Sequence, residues 1–241
     1  MNTTGRERPG LMKGLAIWLG MYAVASYLVP SAVLISLLLL TDYSDLGDNQ
    51  IPIWITAVSA SAMWGVYLYA VPRFLPFQEK TLRSSFRDWF SNRAIAIGIP
   101  LGIASQYILM NIVNWPLSKL FPKEFSSEEI SRRATELTDS APGFWMIVLV
   151  LVVVVGAPVV EEIVYRGAVQ THLQRTGGTA VALMVTALIF AVIHPSPIEY
   201  PGLFVFALVL GYARLRSGTL GLSIVTHMAF NSAGLVLVLV K

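Results

Sequence analysis

Long apolar runs separated by short polar breaks dominate the chain. They lie at about 14–40, 51–72, 94–114, 143–176, 178–195, 201–216 and 218–240. Most approach or exceed the roughly 20 residues that cross a hydrocarbon core. The pattern predicts an all-α, polytopic helical membrane protein with about seven transmembrane helices, in a range of about six to eight. A β-branched run such as Val152 to Val155 would suit a strand in water. In lipid every backbone polar group must be satisfied within its own segment, so helix is the expectation there too. The first run, Leu15 to Leu40, is longer than a signal-peptide core of about 7–15 residues and no small-residue cleavage site follows it, so it reads as a retained span. Two polar stretches interrupt the pattern, 73–93 and 115–142. The second is helix-prone from Phe125 to Thr138 and is expected at the interface or in solvent.

Composition supports the membrane reading. The chain is 55% hydrophobic and 13% charged, against about 25% charged in soluble domains. It has no cysteine, which excludes disulfides, thiolate ligands and a thiol nucleophile. The net charge of +3 comes with basic residues beside the spans, so it points to membrane lipids as partners and not to nucleic acid. Arg6, Arg8 and Lys13 precede the first span, and the 73–93 stretch is basic, with anionic lipid as a second role for it. The 41–50 loop instead holds Asp42, Asp45 and Asp48 and no basic residue. Cationic loops stay in the cytoplasm, which predicts a multi-pass protein of the cell membrane with a cytoplasmic N-terminus. The turns near Arg175 and near Arg214 and Arg216 then fall on the same side.

Ionisable groups inside apolar spans are costly and point to function. Glu161 and Glu162 follow the run Ile147 to Val160. His194 ends the run Ala180 to Ile193, and His227 and Asn231 sit within Leu220 to Val240. Glu162 and Arg166 are i,i+4 and so able to pair on one helix face. Glu161 lies about 100° round the helix and lacks that partner, which leaves it free to act as a general base. His227 and Asn231 share a face by the same spacing, as do Phe190 and His194. The first pair suits a metal or an oxyanion. Interhelical hydrogen bonding is the plainer use of it. His194, just before Pro195, also suits a helix cap.

Depth follows from the turns. Glu161 precedes Gly177, and His194 follows Gly178, by the same sixteen residues, about 24 Å of helix each. A hairpin at Gly177-Gly178 therefore levels the glutamates with His194. From Gly218, His227 stands about 14 Å up and Asn231 about 20 Å up. The 143–176 segment would be about 50 Å long if straight, so a bend or strong tilt is expected at Gly156 and Pro158. His172, near Gln174 and Arg175, reads as a solvated surface residue. Glu199 reads as a solvated loop residue, and Trp115 and Trp145 as interfacial belts.

Taken together, Glu161-Glu162-Ile163-Val164-Tyr165-Arg166, Phe190 to His194 and His227 to Asn231 match EExxxR, FxxxH and HxxxN in order. The chain resembles the CAAX-protease and bacteriocin-processing (CPBP or Abi) intramembrane proteases over about 145–235. On that resemblance, 143–241 is a catalytic core and 1–142 holds N-terminal transmembrane helices and an interfacial segment. The resemblance implies an endopeptidase that hydrolyses a peptide bond in a membrane-associated peptide or protein, which the family ties to lipidated, bacteriocin or signal-peptide substrates. The compact chain looks bacterial or archaeal, which argues against a prenylated substrate. The resemblance also implies that Glu161 and His194 activate water, that His227 and Asn231 stabilise the oxyanion, and that Glu162 and Arg166 support the site. Zinc on Glu161, His194 and His227 is an open cofactor expectation, although no HExxH helix is present. The enzyme is thus expected to be a metalloprotease or a glutamate protease. Two competitors stand beside it. One is a non-catalytic scaffold or bacteriocin self-immunity protein that regulates a partner. The other is a transporter, against which no inverted repeat or paired broken helix appears.

Overall fold

The computed structural model describes residues 10–40, 53–74, 86–125, 135, 138, 141 and 143–239. The acidic 41–50 loop, most of the basic 73–93 stretch and most of the helix expected over 125–138 lie outside them. The described residues form an all-helical protein with seven long helices. They are α1 (11–40), α2 (Ile53–Phe74), α3 (92–120), α4 (144–177), α5 (179–192), α6 (Tyr200–Ser217) and α7 (Gly221–Leu239). By length and apolarity, six continuous helical stretches are able to cross a membrane. The fourth of these holds both α4 and α5, because Gly178 breaks it. The chain is a multi-pass membrane protein. Trp115 and Trp145 are exposed, as lipid- or interface-facing rings would be.

The predicted hairpin is present. Gly178 takes φ 84° and ψ 173°, a conformation open to glycine and closed to residues with a Cβ. The Tyr165 and Phe190 rings then meet edge to face, 5.4 Å apart. On one straight helix, 25 residues would separate them by about 37 Å. The second turn follows the same logic. Gly218 caps α6 at φ 70°, and its N–H donates to the Arg214 carbonyl at 3.1 Å.

Two hydrogen bonds set α4 against α6. Arg166 Nη2 donates to the Ala207 carbonyl at 3.2 Å, and Gln170 Nε2 donates to the Gly211 carbonyl at 3.1 Å. Both join residues with the same sequence offset, so α4 and α6 run parallel and both glycine turns lie at one end of the protein. α7 is held from the other side by α3. Cβ atoms on Gly98 and Gly102 would collide with Val225 and with Ala229 and the α7 backbone. Lipid tails give helices no hydrophobic drive to associate, so such close backbone approach supplies the packing.

Around Gly156 and Pro158, where a bend or strong tilt is expected, the fourth segment departs from regular α-helix into π-helix. Leu151–Gly156 and Glu162–Val169 are π-helical and flank the α-helical Ala157–Glu161. Such bulges insert an extra residue into the ladder and often mark functional sites. The third helix is longer than the predicted 94–114 span and continues through Pro116 to Leu120.

One expectation is corrected. His172 is not at a solvated surface: it is 2% exposed. The N-terminal turn of α1 covers it, and a Cβ on Gly14 would run into its ring. The polar neighbours Gln174 and Arg175 suggested solvent, but sequence spacing carries no sign that another helix docks there. Glu199 is exposed, in the short Pro197–Glu199 turn.

Candidate active site

The second π-helical stretch aims its polar residues inward. Glu162 and Arg166 are both 0% exposed, with Glu162 Oε1 3.0 Å from Arg166 Nη1. In a low-dielectric interior each charge needs the other, because either one alone would be strongly destabilising. The Arg166 guanidinium also lies over the Phe190 ring, 4.6 Å from its centroid. α7 brings a third member. His227 Nδ1 lies 3.0 Å from the same Glu162 oxygen. A carboxylate paired with arginine only accepts, so Nδ1 carries the proton and donates.

That bond orients the other ring nitrogen. His227 Nε2 points to Glu161 Oε2 at 3.9 Å, beyond direct hydrogen-bond range and close to the span that one bridging water covers. Glu161 itself is 25% exposed and opens into a cavity of about 550 Å³, which His194 also lines. At the end of α5 the Nδ1 of His194 lies 2.7 Å from the Phe190 carbonyl. A carbonyl only accepts, so Nδ1 donates, and in the neutral ring Nε2 keeps a lone pair. Phe190, fully buried, is the spacer among these groups. Its ring touches those of His194 at 5.0 Å and His227 at 5.7 Å between centroids.

Asn231 stands apart. Its Nδ2 donates to the Val153 carbonyl at 2.8 Å. The reason is local. In the π-helical register the Val153 carbonyl would receive from residue 158, a proline with no N–H. The N–H of Ala157 is already on Val152. The Asn231 amide therefore satisfies a carbonyl that the α4 ladder leaves open. This is the interhelical use of the HxxxN motif.

The cavity also holds residues that the motif reading passed over. α1 contributes Tyr22, Ser26 and Tyr27, and α2 contributes Met63 and Tyr67. The Ser26 and Tyr67 hydroxyls lie 2.8 Å apart. The Tyr22 hydroxyl reaches the Ile193 carbonyl at 3.4 Å. A signal was present in the sequence. Tyr22 with Ser26, and Met63 with Tyr67, are i,i+4 pairs inside apolar spans. The N-terminal helices thus form one wall of the cavity.

Glu161 and His227 present ligand-type atoms, but they are set wider than the roughly 3.3 Å between two ligands on a tetrahedral zinc. No group of three His, Asp or Glu side chains among the described residues is placed to hold a metal ion. The donor set as placed falls short of a zinc site.

Searches of curated proteins and of solved structures returned no match. Residues 143–233 match the family model described as type II CAAX prenyl endopeptidase Rce1-like, so this part of the chain is similar to that CAAX-protease family.

Proposed function

We propose that the protein is an intramembrane endopeptidase in which Glu161 is the general base. A water held between Glu161 and the His194 Nε2 loses its proton to Glu161 as its oxygen attacks the scissile carbonyl carbon. The proton then passes to the leaving amine as the C–N bond breaks. His227, oriented by Glu162, presents Nε2 on the opposite side of that water. Arg166 balances the Glu162 charge and so keeps the imidazole in place. Asn231 is a positioning residue that holds α4 at Val153, eight to nine residues before the glutamates. No step uses a metal. The expected substrate is a membrane-associated or lipidated peptide or protein, bacteriocin and signal peptides included. The basic end of the bundle, with the N-terminus, is assigned to the cytoplasmic side of the cell membrane.

One observation carries this reading. Of the two adjacent glutamates, one is sealed in an ion pair and the other opens into a cavity shared with His194. The scaffold or self-immunity reading is favoured by one observation of its own, the hydrogen bond that commits Asn231 to the backbone. Comparing the membrane peptidome of cells with wild-type protein and with Glu161→Gln separates the two. Cleavage products lost in the variant support the protease. Identical peptidomes with the cellular phenotype retained support the scaffold.

A further inference from the structure

A second cavity, larger than the catalytic one at about 910 Å³, opens between α3 and α6 with α7 as its floor. Its two ends differ in chemistry. Ile97 and Leu101 on α3, Val205 and Leu208 on α6, and Leu222 on α7 make an apolar wall. Arg93, at the start of α3, and Arg216, at the end of α6, stand together at one end, beside Asp88 and the hydroxyls of Ser91, Ser217 and Thr219. Both arginines are exposed, and neither has a partner among the described residues.

The dimensions fit one leaflet. Arg93 to Leu101 is about 12 Å of helix and Arg216 to Val205 about 16 Å, against the roughly 15 Å that is half a hydrocarbon core. The volume lies in the range of dedicated ligand sites, about 300–1,000 Å³. The floor is rigid, because Gly98 holds α3 in close contact with Val225 of α7.

We propose that this groove is a binding site for an anionic glycerophospholipid, with its phosphodiester on Arg93 and Arg216 and an acyl chain along the apolar wall. Two arginines and one aspartate leave a charge of +1, which a headgroup of net charge −1 neutralises. A zwitterionic headgroup would not. Arginine suits the phosphate because its planar fork bonds two oxygens at once. The proposal does not depend on proteolysis.

The test is native mass spectrometry of the full chain from mixed micelles with equal phosphatidylcholine, phosphatidylethanolamine and phosphatidylglycerol. The wild type is expected to retain phosphatidylglycerol over the other two. Arg93→Gln with Arg216→Gln is expected to lower that retention about 25-fold, roughly fivefold for each arginine. The double lysine variant is expected to lose less. Leu101→Trp, which fills the apolar wall, is expected to lower retention with both arginines intact. Arg73→Gln, at a basic site outside the groove, is expected to leave it unchanged. Thermal unfolding in phosphatidylcholine alone checks that each variant is folded. Equal retention of the three lipids, preference for phosphatidylethanolamine, or equal losses from Arg73→Gln and the double variant would overturn the proposal. So would displacement of the lipid by free glycerol phosphate at matched concentration, which would mean that the chain contributes nothing.

Discussion

Asn231 on α7 donates to the Val153 carbonyl on α4 at 2.8 Å, although 78 residues separate them. The bond exists because Pro158 cannot supply an N–H to that carbonyl. Asn231→Ala is therefore expected to destabilise the protein by about 1–3 kcal/mol, the cost of a partly buried carbonyl left unsatisfied in a membrane span. Thermal unfolding in detergent measures it. Pro158→Ala returns an N–H to α4, so the cost of Asn231→Ala should shrink in that background. A purely catalytic asparagine would instead lower activity and leave stability unchanged, with no coupling to Pro158 in the double-mutant cycle.

The two glutamates should separate in the same kind of measurement. Glu161→Gln is expected to lower peptidase activity by about 10²–10⁴-fold, the usual worth of a general base. Its unfolding temperature should stay near wild type, because Glu161 is partly exposed and makes no contact closer than 3.9 Å with His227. Glu162→Ala leaves Arg166 buried without its partner, which costs about 3–5 kcal/mol. Replacing the pair together, Glu162→Leu with Arg166→Met, should recover much of that stability and none of the activity, since His227 then loses its orienting acceptor. Activity in the recovered double variant would show that Glu162 has no part in aiming the imidazole.

Much of this arrangement was legible in the sequence, and the reason is periodicity. Apolar run lengths marked seven helices, and Gly178 and Gly218 marked the turns because only glycine is at ease at their φ of 84° and 70°. Equal spacing from the first turn placed Glu161 and His194 in one cavity. The i,i+4 rule gave the Glu162–Arg166 pair. What the sequence concealed were contacts between distant segments. Nothing local to HxxxN says that the histidine turns to Glu162 while the asparagine turns to Val153. That division depends on the π-helical register of α4, which follows from packing. The burial of His172 was hidden for the same reason, whereas the wall from α1 and α2 left a local trace in the i,i+4 pairs Tyr22 with Ser26 and Met63 with Tyr67.

The docking of α1 makes its own prediction. Gly14 lies against the His172 ring so closely that a methyl group there would overlap it. Gly14→Ala is expected to destabilise by about 1–3 kcal/mol, the range for overpacking a tight contact. His172→Ala removes the ring and should restore most of that loss when combined with Gly14→Ala. Unfolding midpoints of the two single variants and the double variant give the coupling. Additive losses would mean that α1 does not rest on His172.

The last prediction concerns sidedness. α4 and α6 run parallel, so Thr176 and Ser217 end at one face of the protein. Gly14, packed on His172, puts the start of α1 near the same face. Gly221, whose Cβ would meet Trp89, adds the start of α3. Lys13, Arg93, Arg175, Arg214 and Arg216 therefore gather at one end, the distribution that keeps basic ends in the cytoplasm. The wild-type chain has no cysteine, so single cysteines report cleanly. Thr176→Cys and Ser217→Cys should label from the same side of the membrane, and Glu199→Cys, after α5 has crossed back, from the other. In right-side-out cells an impermeant maleimide should reach Glu199→Cys and spare the first two. Labelling of Thr176→Cys and Glu199→Cys from one side would rule out the hairpin at Gly178, and with it the levelling of Glu161 and His194.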